Sequence, residues 1–473
     1  MLKKTNKLSN LSACEFLHLL SKGETSVSEY TNSCIENIES LEHNIKAWEY
    51  LNLKKLKELA LQKDIYLQSW LKDKKKFSSY FKEEKKDKII PFHLNLPNRL
   101  FGIPIGIKDI FNTISMPTQF GSKIYKNHEA GNNARVLTNL TREGGVIAGK
   151  TATSEFAVHN PAITKNPIDI SLSPGSSSSG SAAAVASHMV PVAISSQTAA
   201  STIRPASYCG IIGFKPSYGV IPRTAMLKTT DTLDTVGIMA RSVEDIRLVF
   251  DVMRVRGPNY PLVYKNYTNM KKRKNKKYRI ANLVSEVNSN LTESVKHSLK
   301  IFISRLNSIG LFEVENFYLP DIFKNSHHIH EKIYCKCLSY YFKSEWKNNK
   351  NNLSNIFKSM IEKGLSINND DYSNLLKKQN NLSKNFDKIF HNFDAILCLS
   401  AADDAPKLNT IIDPKDHSLL FTMYHVPSIT LPILKGSNNL PLGIQLSSRK
   451  FSDYDLFEIS EIIFKKIQSP EYK

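Results

Sequence analysis

The sequence predicts an α/β protein, and three observations carry that reading. Between residues 99 and 250, short apolar runs bounded by glycine alternate with helical stretches, the pattern of strands and covering helices. The same alternation resumes beyond residue 279. A chain of 473 residues, 41% hydrophobic, is long enough to bury a large core, and big α/β enzymes run to this length as one unit.

The elements follow in order. Leu11, Phe16, Leu19 and Leu20 form a helical stripe that Gly23 breaks, and Ser26 or Ser28 can cap a second helix through Val27, Tyr30, Cys34, Ile35, Ile38 and Leu41. Residues 63–98 mix lysines with aromatics and read as an insertion or an exposed helical excursion. Segments 103–108, 144–149 and 190–194 read as short buried strands, and 135–143 and 242–253 as helices. The basic stretch 269–279 reads as a linker. Beyond it come a strand at 279–284, a helix at 292–309 stopped by Gly310, and a mostly helical, polar region at 320–392. Strand character returns at 394–400, 428–433 and 441–446, and a helix at 453–468 closes the chain.

The net charge is +20, which would suit nucleic acid, an anionic surface or an anionic substrate. The excess concentrates in 72–88 and 271–277 among many asparagines, so a solvated surface is the ordinary explanation and a nucleic-acid partner is disfavoured. Six cysteines lie scattered without a CxxC pair, which points to a reducing compartment such as the cytoplasm. No apolar run approaches the roughly 18 residues of a membrane span, and the N-terminus lacks the apolar core of a secretion signal.

The richest segment is Pro174–Ala206, where Arg204 is the one charged side chain. Four serines stand between Gly175 and Gly180. A phosphate loop would need lysine at Ser181, and a nucleophile elbow would need glycine at Ser179, so neither reading fits. For a hydroxyl nucleophile, His159, His188, His417 and His425 are available as bases, but a lone histidine is ordinarily structural. His327, His328 and His330 cluster without a carboxylate or thiol set to complete a metal site. The alternative base is a lysine held neutral by burial. Lys108 ends an apolar run and is the best candidate, with an ion pair to Asp109 as its structural alternative.

At this point the residues resemble the amidase signature family. The resemblance rests on GIPIGIKDIF (102–111), MPTQFGSKIY (116–125), GGVIAGKTATSEFA (144–157), PGSSSSGSAAAVA (174–186), SQTAASTIRPASYCGIIGFKPSYGVIPR (196–223) and LPLGIQL (440–446), in order across most of the chain. It implies one amidase domain over 1–473, with a large twisted mixed β-sheet covered by helices on both faces. Within that domain fall an N-terminal helical segment (about 1–60), the lysine-rich insertion (63–98), a signature core (99–250), the linker (269–279) and a C-terminal part (280–473). The resemblance further implies a Ser-Ser-Lys triad: Ser201 as nucleophile, Ser177 as a bridging serine on a cis peptide, and Lys108 as base. The N–H groups of Thr198, Ala199, Ala200 and Ser201 would form the oxyanion hole. Ser178 would support the network. Arg204 would either pair a substrate carboxylate, as in malonamide-type members, or pin the signature segment to the fold. The chain departs from the family where Ser176, Ser179, Ala199 and Ala200 replace usual glycines, which matters wherever positive φ is required.

The implied activity is hydrolysis of a small carboxamide without metal or cofactor, and a homodimer is left open. The pocket is expected from 113–130, 224–235 and 320–425. Tyr334, Tyr340, Tyr341, Phe421 and Tyr424 are candidates to line it, with core or surface packing as the alternative. One rival is the amidase-like component of an aminoacyl-tRNA amidotransferase, its A subunit, which shares the triad. The stretch GVIPRTAMLKTTDTLDTVGIMARS (219–242), and SQTAAS in place of that component's Asp-Thr-Gly-Gly-Ser, resemble stand-alone amidases more. A rival of another class is a catalytically silent binding protein on the same fold.

Overall fold

A computed structural model describes residues 7–76, 96–159, 161–257, 260, 263, 277–408, 410 and 416–468. Most of the lysine-rich insertion and of the basic linker lies outside these residues. Helices α1 (Ala13–Lys22) and α2 (Val27–Ile45) begin where the sequence places them. Ser12 with Glu15, and Ser26 with Glu29, form reciprocal capping boxes that satisfy the first free N–H groups of each helix. Gly23 closes α1 at φ 73°, a conformation glycine adopts without steric cost. Helix α3 (Leu53–Lys76) runs into the insertion.

Eleven strands form one mixed sheet: β1 (Trp48–Leu51), β2 (Pro104–Lys108), β3 (Val146–Thr151), β4 (Val192–Gln197), β5 (Ile212–Lys215), β6 (Thr235–Ala240), β7 (Tyr278–Val284), β8 (Phe312–Tyr318), β9 (Ala395–Leu399), β10 (Ser428–Lys435) and β11 (Pro441–Ser447). Their spatial order is β1-β3-β2-β4-β6-β5-β10-β11-β9-β7-β8. β2 pairs in parallel with both β3 and β4, and β7 with both β8 and β9; the remaining pairs are antiparallel. Strands β1, β5, β6 and β8 went unread in the sequence: three are short or broken by glycine and threonine, and β8 lies at the sheet edge with polar residues alternating outward.

Apolar clusters fill both faces of the sheet. Ile105, Ile107, Val192 and Ile194 join a core with α1, the helix α4 (Arg135–Arg142) and the helix α7 (Val243–Met253). Val146, Ala148 and Ala193 face the opposite way, against α2 and the helix α5 (Ser179–Ala186). The run of alanines in α5 permits a close approach to the sheet. At Gly180 a Cβ would stand 2.4 Å from both the Ala152 N and the Ala47 carbonyl oxygen, so no larger side chain fits.

Asp109 pairs with Lys150 rather than with Lys108. Lys150 Nζ lies 3.1 Å from Asp109 Oδ1 with both side chains fully buried, and it also donates to the Phe111 carbonyl (2.7 Å) and Thr118 Oγ1 (2.8 Å). Burial drives the lysine down to about 8 and the carboxyl up to about 6, while their mutual attraction opposes both shifts. Asp109→Ala, which strands the ammonium in the core, is expected to cost roughly 3–5 kcal/mol in denaturant unfolding. A loss under about 1 kcal/mol would show that the pair adds nothing net.

Candidate active site

The site forms at the C-terminal ends of the parallel strands β2 and β4, where open α/β sheets bind ligands. Lys108 is the last residue of β2 and is fully buried. Its Nζ lies 2.8 Å from Ser177 Oγ, 2.9 Å from Ser178 Oγ and 2.9 Å from Ser196 Oγ. Ser177 Oγ in turn lies 3.0 Å from Ser201 Oγ, and the Ser177 N–H is 3.3 Å from the same atom. The peptide between Ser176 and Ser177 is cis. One hydrogen-bonded line thus joins Lys108, Ser177 and Ser201, residues widely separated in sequence. Ser201 is partly exposed while Lys108 is fully buried, so the hydroxyl end of the line is the end open to solvent.

The electrostatics match this arrangement. Burial disfavours the ammonium and lowers Lys108 to about 7, and the Asp234 carboxylate pulls in the opposite direction. A lysine poised near neutrality can take up a proton and give it back at ordinary pH.

Residues 198–201 turn from β4 towards the helix α6 (Ile203–Tyr208). Among the described residues no hydrogen bond leaves the N–H groups of Thr198, Ala199, Ala200 or Ser201. Thr198, Ala199 and Ala200 are nonetheless buried, where a backbone donor ordinarily has a partner. The glycine replacements cause no strain, because Ser176, Ser179, Ala199 and Ala200 all avoid positive φ. Gly175, which is retained, has φ 86° and lies against Pro205.

Several residues that hold this loop escaped the sequence reading. Gln197 Oε1 accepts from the N–H groups of Thr202 (2.9 Å) and Ile203 (3.1 Å). Thr422 Oγ1 donates to the Ala199 carbonyl (2.8 Å), and His330 Nε2 lies 2.8 Å from the Thr198 carbonyl. Burial holds His330 down at about 4, so it is a neutral donor. Thr198 Oγ1 donates to Asp234 Oδ1 (2.8 Å). Ser196 completes the shell around the lysine. Only the density of hydroxyls at 229–235, with Asp231 and Asp234 among them, signalled any of this in the sequence.

The other candidates separate. Arg204 is buried, with Nε and Nη2 at 2.9 and 2.6 Å from Asp416 Oδ2, which accords with pinning; a substrate carboxylate would compete with Asp416 for it. His327 Nε2 lies 3.2 Å from the Asp416 carbonyl. His417 and His425 bond Ser285 and the Thr232 carbonyl. Phe421 and Tyr424 are core residues around Phe386, and Tyr340 is 74% exposed. Tyr334 is buried between His159 and His330.

The structure thus combines a mixed sheet flanked by helices with a buried lysine hydrogen-bonded to a line of serine hydroxyls. The chain belongs to the Amidase family, whose sequence model matches residues 79–457. Among its relatives, the A subunit of the glutamyl-tRNA(Gln) amidotransferase of Clostridium botulinum (strain Alaska E43 / Type E3) is 30% identical over 95% of this chain and 96% of that protein. Among solved structures, a crystal structure of an amidase superposes with TM-score 0.81 at 21% identity, covering 96% of this chain and 100% of that one. The native peptide amidase from Stenotrophomonas maltophilia superposes with TM-score 0.78 at 20% identity, covering 97% of both chains.

Proposed function

We propose that this protein is an amidase that hydrolyses the C–N bond of a small carboxamide to a carboxylate and ammonia or an amine. The observation that carries the reading is the continuous hydrogen-bonded line from Lys108 through Ser177 to Ser201, beside four unpaired backbone donors. In this reading Ser201 Oγ attacks the amide carbonyl as its proton passes to Ser177, and a proton from Ser177 passes to Lys108. The oxyanion settles on the N–H groups of 198–201. The proton then returns along the line to the leaving nitrogen, which departs poorly unless protonated. Water enters, the same groups remove its proton, and the acyl-Ser201 ester is cleaved. Ser178 orients the lysine and Arg204 anchors the loop; no step calls on a metal or cofactor. Six free cysteines, and no described helix long and apolar enough to cross a membrane, are in keeping with a cytoplasmic enzyme.

A fluorophosphonate probe tests this reading. Wild type is expected to be labelled on Ser201, seen as a mass shift on its peptide, and Ser201→Ala to be unlabelled. Absence of labelling in wild type would favour a silent binding protein.

The second reading, the amidase-like component of a tRNA amidotransferase, is favoured by the names of the sequence relatives. It predicts copurification with a second protein chain and glutamine-dependent amidation of a charged tRNA, whereas the hydrolase turns over simple amides alone.

A further inference from the structure

We propose that Asp234 is the positioning residue of the 198–201 loop: its carboxylate holds Thr198 and, through Thr198, the backbone donors beside Ser201. This inference rests on the hydrolase reading above.

Asp234 lies one residue before β6, whose Thr235 pairs with Gln197 at the end of β4. That register sets its carboxylate under the start of the loop, where it is 2% exposed. Oδ1 accepts from the hydroxyls of Thr198 (2.8 Å), Thr229 (2.6 Å) and Thr230 (2.9 Å). Oδ2 accepts from the N–H groups of Thr229 (2.8 Å) and Thr230 (2.9 Å). Five donors converge on its two oxygens. An amide in its place would aim an NH₂ at groups that are themselves donors. A carboxylate bound this way is rigid, and it transmits that rigidity through one hydroxyl to a loop whose own N–H groups must stay unpaired.

The same charge reaches the base. Asp234 is the charged group whose field is felt at Lys108, and it favours the ammonium against burial. The other polar groups around Lys108 are the hydroxyls of Ser177, Ser178 and Ser196. Around Asp234 itself stand Arg223, which donates to its carbonyl, Tyr218, and Tyr334 and Cys337 of the helix Ser326–Tyr341. One side chain thus bears on the two parts of the reaction that must be matched, the loop through the Thr198 hydroxyl and the proton acceptor through its charge.

The test compares Asp234→Asn, Thr198→Val and Thr198→Ser in the full chain. Two readouts are taken: the pH profile of fluorophosphonate labelling, and hydrogen exchange of the peptide spanning 198–201. Thr198→Val keeps the shape and the Asp234 charge but loses the hydroxyl. It is expected to label about 10–100-fold more slowly at every pH, with faster loop exchange and an unmoved acid limb. Thr198→Ser restores both. Asp234→Asn is expected to show the same slowing together with an acid limb shifted to lower pH, because the charge that favoured the ammonium is gone. A merely structural role would lower the melting temperature of both variants and move neither the limb nor the loop exchange. Wild-type labelling rates and wild-type loop exchange in folded Thr198→Val would overturn the assignment. Wild type that fails to label would instead refute the hydrolase reading, and loop exchange in the variants would still decide Asp234.

Discussion

Ser201→Ala is expected to lower turnover of a hydrolysable amide by about 10⁴–10⁶-fold, the scale seen when a serine hydrolase loses its nucleophile. The hydroxyl removed is the terminal member of the line, 3.0 Å from Ser177 Oγ, and among the described residues no other side chain ends that line where an acyl group could form. Ser177 keeps its bond to Lys108, so the buried part of the network is undisturbed. Stability should change little, since Ser201 is partly exposed and its deletion strands no buried charge. The residual rate should reflect the backbone donors and substrate binding alone. Because the three residues act as a unit, adding Lys108→Ala to Ser201→Ala should cost almost nothing more. Steady-state kinetics on a panel of simple, aromatic and dicarboxylic monoamides checks this, and a variant retaining more than about a tenth of the wild-type rate would rule Ser201 out as nucleophile.

Lys108→Met is expected to produce the second large effect, a loss of about 10²–10⁴-fold, with a change in pH dependence that a packing defect would not mimic. The sign follows from the burial. Desolvation brings Lys108 to about 7, so the neutral, proton-accepting form grows as pH rises through that value. Wild-type kcat/KM should climb about tenfold per pH unit on the acid side and level off above neutrality. In Lys108→Met that rise should vanish. Lys108→Arg should not rescue it, because a guanidinium stays protonated in this range. A wild-type profile flat from acid to alkaline, with Lys108→Met unchanged in rate, would remove the lysine from the chemistry.

The parts that were legible in the sequence are those written in local pattern. The cap at Ser26 and the glycine stop at Gly23 were readable from local chemistry, and the parallel strands with continuous apolar runs because burial on both faces leaves no alternation to confuse; the cap at Ser12 went unread. Lys108 stood out as a charge in an apolar run, whereas Ser177 and Ser201 were singled out among ten nearby serines only by the resemblance to the amidase signature family. Strand β4 extends to Gln197, beyond its readable part, because Ser195, Ser196 and Gln197 turn their polarity to the site and to each other's neighbours. The loop's supports were illegible for another reason. Asp234, His330 and Thr422 are ordinary residues in sequence, and they acquire a role only when three distant segments converge on 198–201. The pairing of Asp109 with Lys150, in place of the adjacent Lys108, is likewise set by the β2–β3 register.

That convergence bears on how the protein is born. The ribosome has delivered Lys108, Ser177 and Ser201 by residue 201, but β5 finds its second neighbour only when β10 emerges, and the loop's last clamp arrives with Thr422. A half-made chain therefore carries Lys108, Ser177 and Ser201 with the Gln197 and Asp234 supports but without the bonds from His330 and Thr422. In the proposed reading, the reacting groups are made first and the last supports of their loop come from the C-terminal half of the chain.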